Sequence, residues 1–433
     1  MTATTAQVPA ETWQPARLKF TAPLRNERTS AGSDHADYLG LENIESWTGR
    51  IIESESKSDE ASDGEAGLAN IFRKGDVLFG KLRPYLAKAC HAPRGGVCST
   101  ELLVMRPAET LNPRFLLYSI LTPDFVGTVD ASTFGAKMPR ANWDFIGSLE
   151  LRLPPLETQT TIADYLDRET ARIGGLIAEK ERMLALLEEK RAALTSRAVT
   201  RGLDPNAPLK TSGQEWLSVI PEHWEVRRIK FVTVSLDQGC SPLVANTPAG
   251  PDELGVLKLS AVSKGRFKRE ENKALREADD DEQIFALRKG DLLITRGNTP
   301  ELVADVACVP DDEPNLLIPD LIYRLRVRTE EVLPQYLTYF LTTAAARVQI
   351  RRDARGSSGS MVKVSQGHVL DWLTPLPPIH EQNDIVTFIQ REESRFVTVT
   401  NEISSSLTLL VERRAALITA AVTGQIPPKA MRP

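Results

Sequence analysis

The sequence predicts an α+β chain: two α/β modules joined by two long helices that pair as an antiparallel coiled coil, the halves related by a pseudo-two-fold internal repeat. Three observations predict it. Segments of the first half recur in the second half in the same order. Each half closes with a proline-free stretch of about 44 residues carrying apolar positions at alternating spacings of three and four. Each half opens with short β-rich runs set between Gly and Pro turns.

The repeat begins with an aromatic-basic signature, Thr12-Trp13 and then Arg17-Leu18-Lys19-Phe20, matched by His223-Trp224 and then Arg228-Ile229-Lys230-Phe231 at an offset of 211. Arg73-Lys74-Gly75-Asp76 returns as Arg288-Lys289-Gly290-Asp291 at an offset of 215. From Leu153-Pro154-Pro155-Leu156 and Leu376-Pro377-Pro378-Ile379 onward the offset holds at 223 without a gap, pairing Gln159 with Gln382, Arg191 with Arg414 and Ala198 with Ala421. Chance does not hold a register over some fifty residues.

The modules, 1–150 and 215–373, contain strand candidates at Asp76–Phe79, Leu102–Met105, Leu292–Ile294 and Leu321–Leu325 and helix candidates at Pro113–Leu121 and Pro334–Thr342. The helical segments are 151–202 and 374–433 with its tail, and 203–214 has the composition of a linker. Proline is tolerated at the start of a helix, so each Leu-Pro-Pro marks an entry. The first seam is Leu166, Ile173, Ile177, Leu184, Leu187 and Leu194, and the second is Ile389, Phe396, Ile403, Leu407, Leu410 and Leu417. A helix of about 44 residues is roughly 66 Å long, and an apolar stripe of that length requires a partner. Thr170, Lys180, Arg191, Glu393, Thr400 and Arg414 interrupt the seam, and Gly174-Gly175 is a place for the first helix to bend.

Composition removes whole classes of function. Apolar residues at 41% and charged residues at 26% are globular values, and a net charge of −5 excludes a histone-like cationic binder. Four cysteines without a C-x-x-C fit neither a disulfide framework nor a common zinc site, so a reducing cytoplasm is the expected compartment. No apolar run is long enough for a membrane span, and no membrane partner is expected. The acidic stretch Ile52–Glu65 reads as a solvated loop.

Catalytic motifs are missing: there is no phosphate-binding Gly-Lys loop, no G-x-G-x-x-G, no H-E-x-x-H and no G-x-S-x-G. The five histidines do not repeat between the halves, and Cys90 and Cys308, which do align, read as small strand hydrophobes. No catalytic residue, no metal and no cofactor is expected in this chain. What remains is local charge. Between Gly67 and Arg106 seven basic residues, Lys81 and Arg83 among them, meet two acidic ones. Around Phe134–Trp143, with Lys137 and Arg140, and around Arg351–Ser360, with Arg352 and Arg355, cations sit beside Gly and Ser. Such loops admit phosphate, and Arg, Asn or Gln read base edges. Lys81, Arg83, Lys137, Arg140, Arg296, Asn298, Arg352, Arg355 and Lys363 are the candidate DNA-binding residues.

With these features in order, the chain resembles over its whole length the DNA-specificity subunit of type I restriction-modification enzymes. The resemblance is carried by the module-helix-module-helix order, the two Trp-to-Phe openers, Tyr38-Leu39-Gly40-Leu41-Glu42-Asn43-Ile44, Gly75–Pro84 with Gly290–Asn298, and the twin Leu-Pro-Pro helices with Gln159 and Gln382. It implies that each module is a target-recognition domain, that the coiled coil acts as a ruler, and that the subunit is not catalytic. It also implies double-stranded DNA as ligand, two modification subunits with S-adenosylmethionine, and two restriction subunits using ATP and Mg. Two fused, diverged modules on their own terms imply an asymmetric, bipartite site. Two other readings fit the same features: a non-DNA coiled-coil scaffold with two ligand-binding modules, and a self-sufficient nuclease, for which no carboxylate-lysine cluster is found.

Overall fold

The computed structural model describes residues 13–30, 38–52, 68–135, 137–239, 241–276, 286–358 and 361–432. Thr12, His35, Cys240, Gly359, Ser360 and the acidic stretch from Glu53 onward lie outside the described residues. The chain divides into two compact units, Met1–Glu181 with Ile403–Pro433, and Arg182–Glu402. Each unit therefore owns one module, one end of the first long helix and the opposite end of the second.

The long helices run over Leu156–Arg201 and Ile379–Val422. In the first unit Ile162 and Leu166, near the start of one helix, share a core with Ile418, Ala421 and Val422, near the end of the other. In the second unit Ala198 and Val199 share a core with Ile385, Val386 and Ile389. Start packs on end both times, so the pairing is antiparallel. Leu166, Ile173, Ile389 and Ile403 are buried, and Ile177, Leu184, Leu187, Leu194, Phe396, Leu407, Leu410 and Leu417 are half-buried. Gly174-Gly175 does not interrupt the helix. A side chain at Gly174 would meet the Arg50 guanidinium at 2.8 Å, so this glycine makes room for a neighbour. Arg191, on the seam, reaches Glu393 of the other helix at 3.5 Å.

Each module is closed by its own ends. Gln14–Arg17 pairs antiparallel with Glu150–Leu153, and Glu225–Arg228 with Leu373–Leu376. The strand leading out of the module thus enters Leu-Pro-Pro and the long helix directly. Gln159 fastens that entry: its Oε1 accepts from the Asn112 N–H at 2.8 Å, and its Nε2 donates to the carbonyls of Thr110 and Pro154. Gln382 makes the same three bonds with Leu333, Glu331 and Pro377. Both side chains are at most 1% exposed, which is why an amide carrying both donors and an acceptor recurs there.

Inside the first module a four-stranded sheet runs in the order Arg28–Ser30, Leu68–Phe72, Gly96–Cys98 and Tyr38–Leu39. A three-stranded one follows as Ala89–His91, Val77–Gly80 and Leu102–Met105. Helices Pro113–Ile120 and Pro123–Ala131 cover them, each with proline in its first turn and an Asn112 or Thr122 cap. The second module repeats the plan with Leu292–Thr295 central between Ile322–Val327 and Val306–Cys308, and helices Pro334–Leu341 and Ala344–Asp353. The segment 203–214 contains a strand, Leu209–Thr211, in a hairpin with Val219–Pro221.

The recurring Arg-Lys-Gly-Asp is a structural turn. Asp76 accepts from the Arg73 N–H at 2.8 Å and takes both arms of the buried Arg25 at 2.7 and 3.1 Å. Asp291 does the same for the Arg288 N–H at 2.9 Å and for Arg326 at 2.6 and 3.1 Å. The left-handed Gly75 and Gly290, at φ 91° and 85°, close the turn between them. Among the described residues no helix is long and apolar enough to cross a membrane.

Candidate nucleic-acid interface

Lys81 stands at the exit of the fully buried strand Val77–Gly80. Its N–H donates to the Glu101 carbonyl at 3.0 Å, and its carbonyl accepts from the Ala141 N–H at 2.9 Å. A Cβ at Gly80 would lie 2.9 Å from the Leu41 side chain and 3.3 Å from the Lys88 carbonyl, so the chain packs closely here. Two residues on, Arg83 is left-handed (φ 49°, ψ 60°), and its N–H donates to the Pro139 carbonyl at 2.8 Å. A bridge between Leu82 and Arg140 and another between Phe134 and Arg140 complete the arrangement. The structure thus brings Lys81 and Arg83 onto the hairpin that carries Lys137 and Arg140.

In the second module the corresponding main chain makes the same bonds. The Arg296 carbonyl accepts from the Val364 N–H at 2.9 Å. Gly297 and Asn298 pair with Lys363 and Val362, and Lys363 pairs in turn with Arg355, giving a three-stranded sheet. Arg296, Asn298, Arg355 and Lys363 therefore share one small surface. Arg352 does not join it: it ends the helix Ala344–Asp353 and is paired with Asp353 at 2.9 Å, whose carboxylate also holds the Trp372 indole at 3.0 Å.

The charge available differs from the sequence count. Arg83, Lys137, Arg355 and Lys363 are exposed, whereas Lys81, Arg140, Arg296 and Asn298 are half-buried. Arg140 forks onto Glu101 at 3.2 to 3.3 Å, so a phosphate or base has to compete with a carboxylate for it. Arg73, counted in the basic stretch, is bonded to Glu27 at 2.8 Å. Lys88 is bonded to the Leu41 carbonyl at 2.6 Å. Among the described residues no carboxylate pairs with Lys81, Arg83 or Lys137 in the first module, nor with Arg296, Arg355 or Lys363 in the second. Among the candidate residues, those six are the cations without a carboxylate partner.

The sequence reading paired Gly75–Pro84 with Gly290–Asn298 but missed that Met138–Arg140 and Met361–Lys363, which pack beside them, are equivalent as well. The signal was present: the 223-residue offset of the helices extends back through Asn142 and Ser365, which cap the next short helices, to Arg140 and Lys363 and to Met138 and Met361. It is hidden at Lys81 and Arg296, where loop lengths change the offset to 215.

Among the described residues no three His, Cys, Asp or Glu side chains lie together as metal ligands. Burial pushes the Cys90, Cys98 and Cys308 thiols up to about 12, the opposite of an activated nucleophile. The Asp305 carboxyl is also raised by burial, but its acceptor capacity is spent on the N–H groups of Lys264 and Val306. A cavity of about 950 Å³ in the second unit is lined by Lys264, Arg266, Arg347 and Arg351 together with Glu188, Glu301, Asp305 and Glu393.

A sequence-family model, the type I restriction modification DNA specificity domain, matches residues 11–181. The chain is 23% identical over 331 residues to the type I restriction enzyme EcoKI specificity subunit of Escherichia coli K12, covering 75% of this chain and 68% of that one. It is 24% identical over 209 residues to the EcoEI specificity subunit of Escherichia coli, covering 48% of this chain and 35% of the relative. It is 22% identical over 293 residues to the MjaVIII specificity subunit of Methanocaldococcus jannaschii, covering 67% and 65%. Among solved structures, a chain from work on complex assembly and conformational transition of the type I R-M system aligns over 96% of this chain and 98% of its own length, with a TM-score of 0.71 at 20% identity. That alignment shows the shared fold.

Proposed function

We propose that the chain is a DNA-specificity subunit of a type I restriction-modification system, like the relatives it matches, and that its two modules read the two halves of an asymmetric, bipartite DNA site. The observation that carries this is the matched pair of reader surfaces. One main-chain frame presents Lys81, Leu82, Arg83 and Arg140 in the first module, and Arg296, Gly297, Asn298 and Lys363 in the second. A common frame with changed side chains is what two different half-sites require. Arg and Lys suit guanine O6 and N7, and Asn suits adenine N6 and N7. The remaining cations neutralise phosphates and fix the register.

On this reading the long helices hold the modules and dock the partners, which are two modification subunits and two restriction subunits. Exposed apolar side chains away from the seam, Leu176 in the first unit and Met183, Leu186, Val397 and Val399 in the second, support docking onto the helices. Adenine methylation with S-adenosylmethionine and ATP- and Mg-dependent cleavage belong to those partners, and this chain binds without catalysing. The test is a titration of the complex with the modification subunits on DNA at several salt concentrations. Phosphate neutralisation gives a steep, linear fall of log affinity with log salt. A flat dependence would leave the scaffold reading instead. Homogeneous chain that methylates or cuts DNA alone would overturn the non-catalytic assignment.

A further inference from the structure

Of the six methionines in the chain, Met105 and Met431 are 1% exposed and belong to the core, Met183 is 45% exposed on the first long helix, and Met138 and Met361 are 46% and 43% exposed. These two are 223 residues apart and fall two residues before Arg140 and Lys363, the cations that pair with the reader strand. In the first module the Arg83 N–H is bonded to the Pro139 carbonyl, one residue from Met138. In the second, Asn298 pairs with Val362, one residue from Met361. The turn before the first of them passes through Gly135, which is left-handed at φ 96°.

Around these two side chains the surfaces differ: Lys81 against Arg296, Leu82 against Gly297, Arg83 against Asn298, Pro139 against Val362, Arg140 against Lys363. A side chain that stays the same and stays in water, where its neighbours have changed, serves a contact that both modules make. Methionine is apolar, unbranched and polarizable, and it adapts to surfaces of different shape. Among free cations that take the phosphates, an apolar group has the bases left to touch.

We propose that Met138 and Met361 are DNA-binding residues that press against the base stack of the two half-sites, at thymine methyl groups or between base steps, while their changed neighbours read the sequence. The proposal deepens the DNA-specificity reading and rests on it. The experiment uses the complete modification complex and duplexes carrying, in one half-site or the other, an adenine analogue that fluoresces on unstacking. Met138→Ala weakens binding about tenfold and quenches the signal in one half-site only, and Met361→Ala does so in the other. The salt slope is unchanged because no phosphate contact is lost. Met138→Leu and Met361→Leu, which keep the apolar bulk, bind within about threefold of the parent. Alanine variants that bind like the parent, a single substitution that affects both half-sites, or a reduced salt slope would each overturn the proposal. So would loss of subunit assembly with the fluorescence intact, which makes these residues protein contacts. Failure of the parent complex to bind DNA would instead refute the specificity reading beneath it.

Discussion

Comparison of equivalent residues in the repeats isolates what single side chains do. Trp224 buries its ring completely and donates its indole N–H to Glu381 at 2.9 Å, and Glu381 also binds His223 at 2.5 Å. Trp13, its counterpart, is 4% exposed, and its indole nitrogen has no hydrogen-bond partner among the described residues. The residue 223 positions before Glu381 is Thr158, which has no carboxylate to offer. Thr158→Glu is therefore expected to stabilise the first unit by roughly 1 kcal/mol, supplying the missing acceptor and a negative charge in the first turn of a helix. A urea midpoint that stays put or falls would refute it. The reader residues allow a sharper test. Arg83→Ala should relax discrimination at one half-site and Asn298→Ala at the other, each lost base contact costing about 1 to 3 kcal/mol. Methylation profiling of a randomised-site library by the modification complex measures both. Relaxation of both half-sites by either variant would show that these side chains do not read bases separately. Arg140 and Arg352 should matter less, since Glu101 and Asp353 already engage them.

At the scale of elements, periodicity made the helices legible and could not reach the sheets' edges. The proline-free heptads lie in helices that start at Leu156 and Ile379, after each Leu-Pro-Pro, because helix entry is a local property of proline and of a repeating stripe. The strands Leu102–Met105 and Leu292–Thr295 were visible as apolar runs because they are buried on both faces. Two-residue strands such as Gly297–Asn298 and Tyr38–Leu39 were not visible, because they exist only through pairing with distant chain. The candidate cations were legible as a list, while their ion pairs with Glu27, Glu101 and Asp353 were not, since those carboxylates arrive by tertiary contact. Gln159 and Gln382 were legible as matched residues but not as latches. Gln159→Leu keeps the volume and removes three hydrogen bonds, leaving the buried Pro154 carbonyl and the part-buried Asn112 N–H and Thr110 carbonyl without that partner. Each such group costs about 1 to 3 kcal/mol, so thermal unfolding should show a lowered midpoint, with Gln382→Leu doing the same in the second unit. A midpoint within a degree of the parent would deny the latch.

At the scale of the molecule the gapless 223-residue register, shared by helices of 46 and 44 residues, is a constraint on length. An antiparallel seam closes only if both strands advance together, so each helix carries the same count of residues between its entry proline, Pro155 or Pro378, and its closing Ala-Val-Thr, Ala198–Thr200 or Ala421–Thr423. A length that two diverged repeats both keep is the property of a spacer, and the spacer proposed here is the run of unread base pairs between half-sites. Inserting four residues between Ala178 and Leu184 adds about one turn, roughly 6 Å, and shifts the facing layers of the seam. At a rise of about 3.4 Å per base pair this corresponds to about two more unread base pairs. Sequencing of methylated adenines in cells carrying the insertion variant with its modification subunits measures the outcome. The expected motif keeps both half-sites and lengthens the gap between them. A folded variant that methylates the original spacing alone would show that the helices do not set the distance, and the conserved length would then belong to the docking of partner subunits.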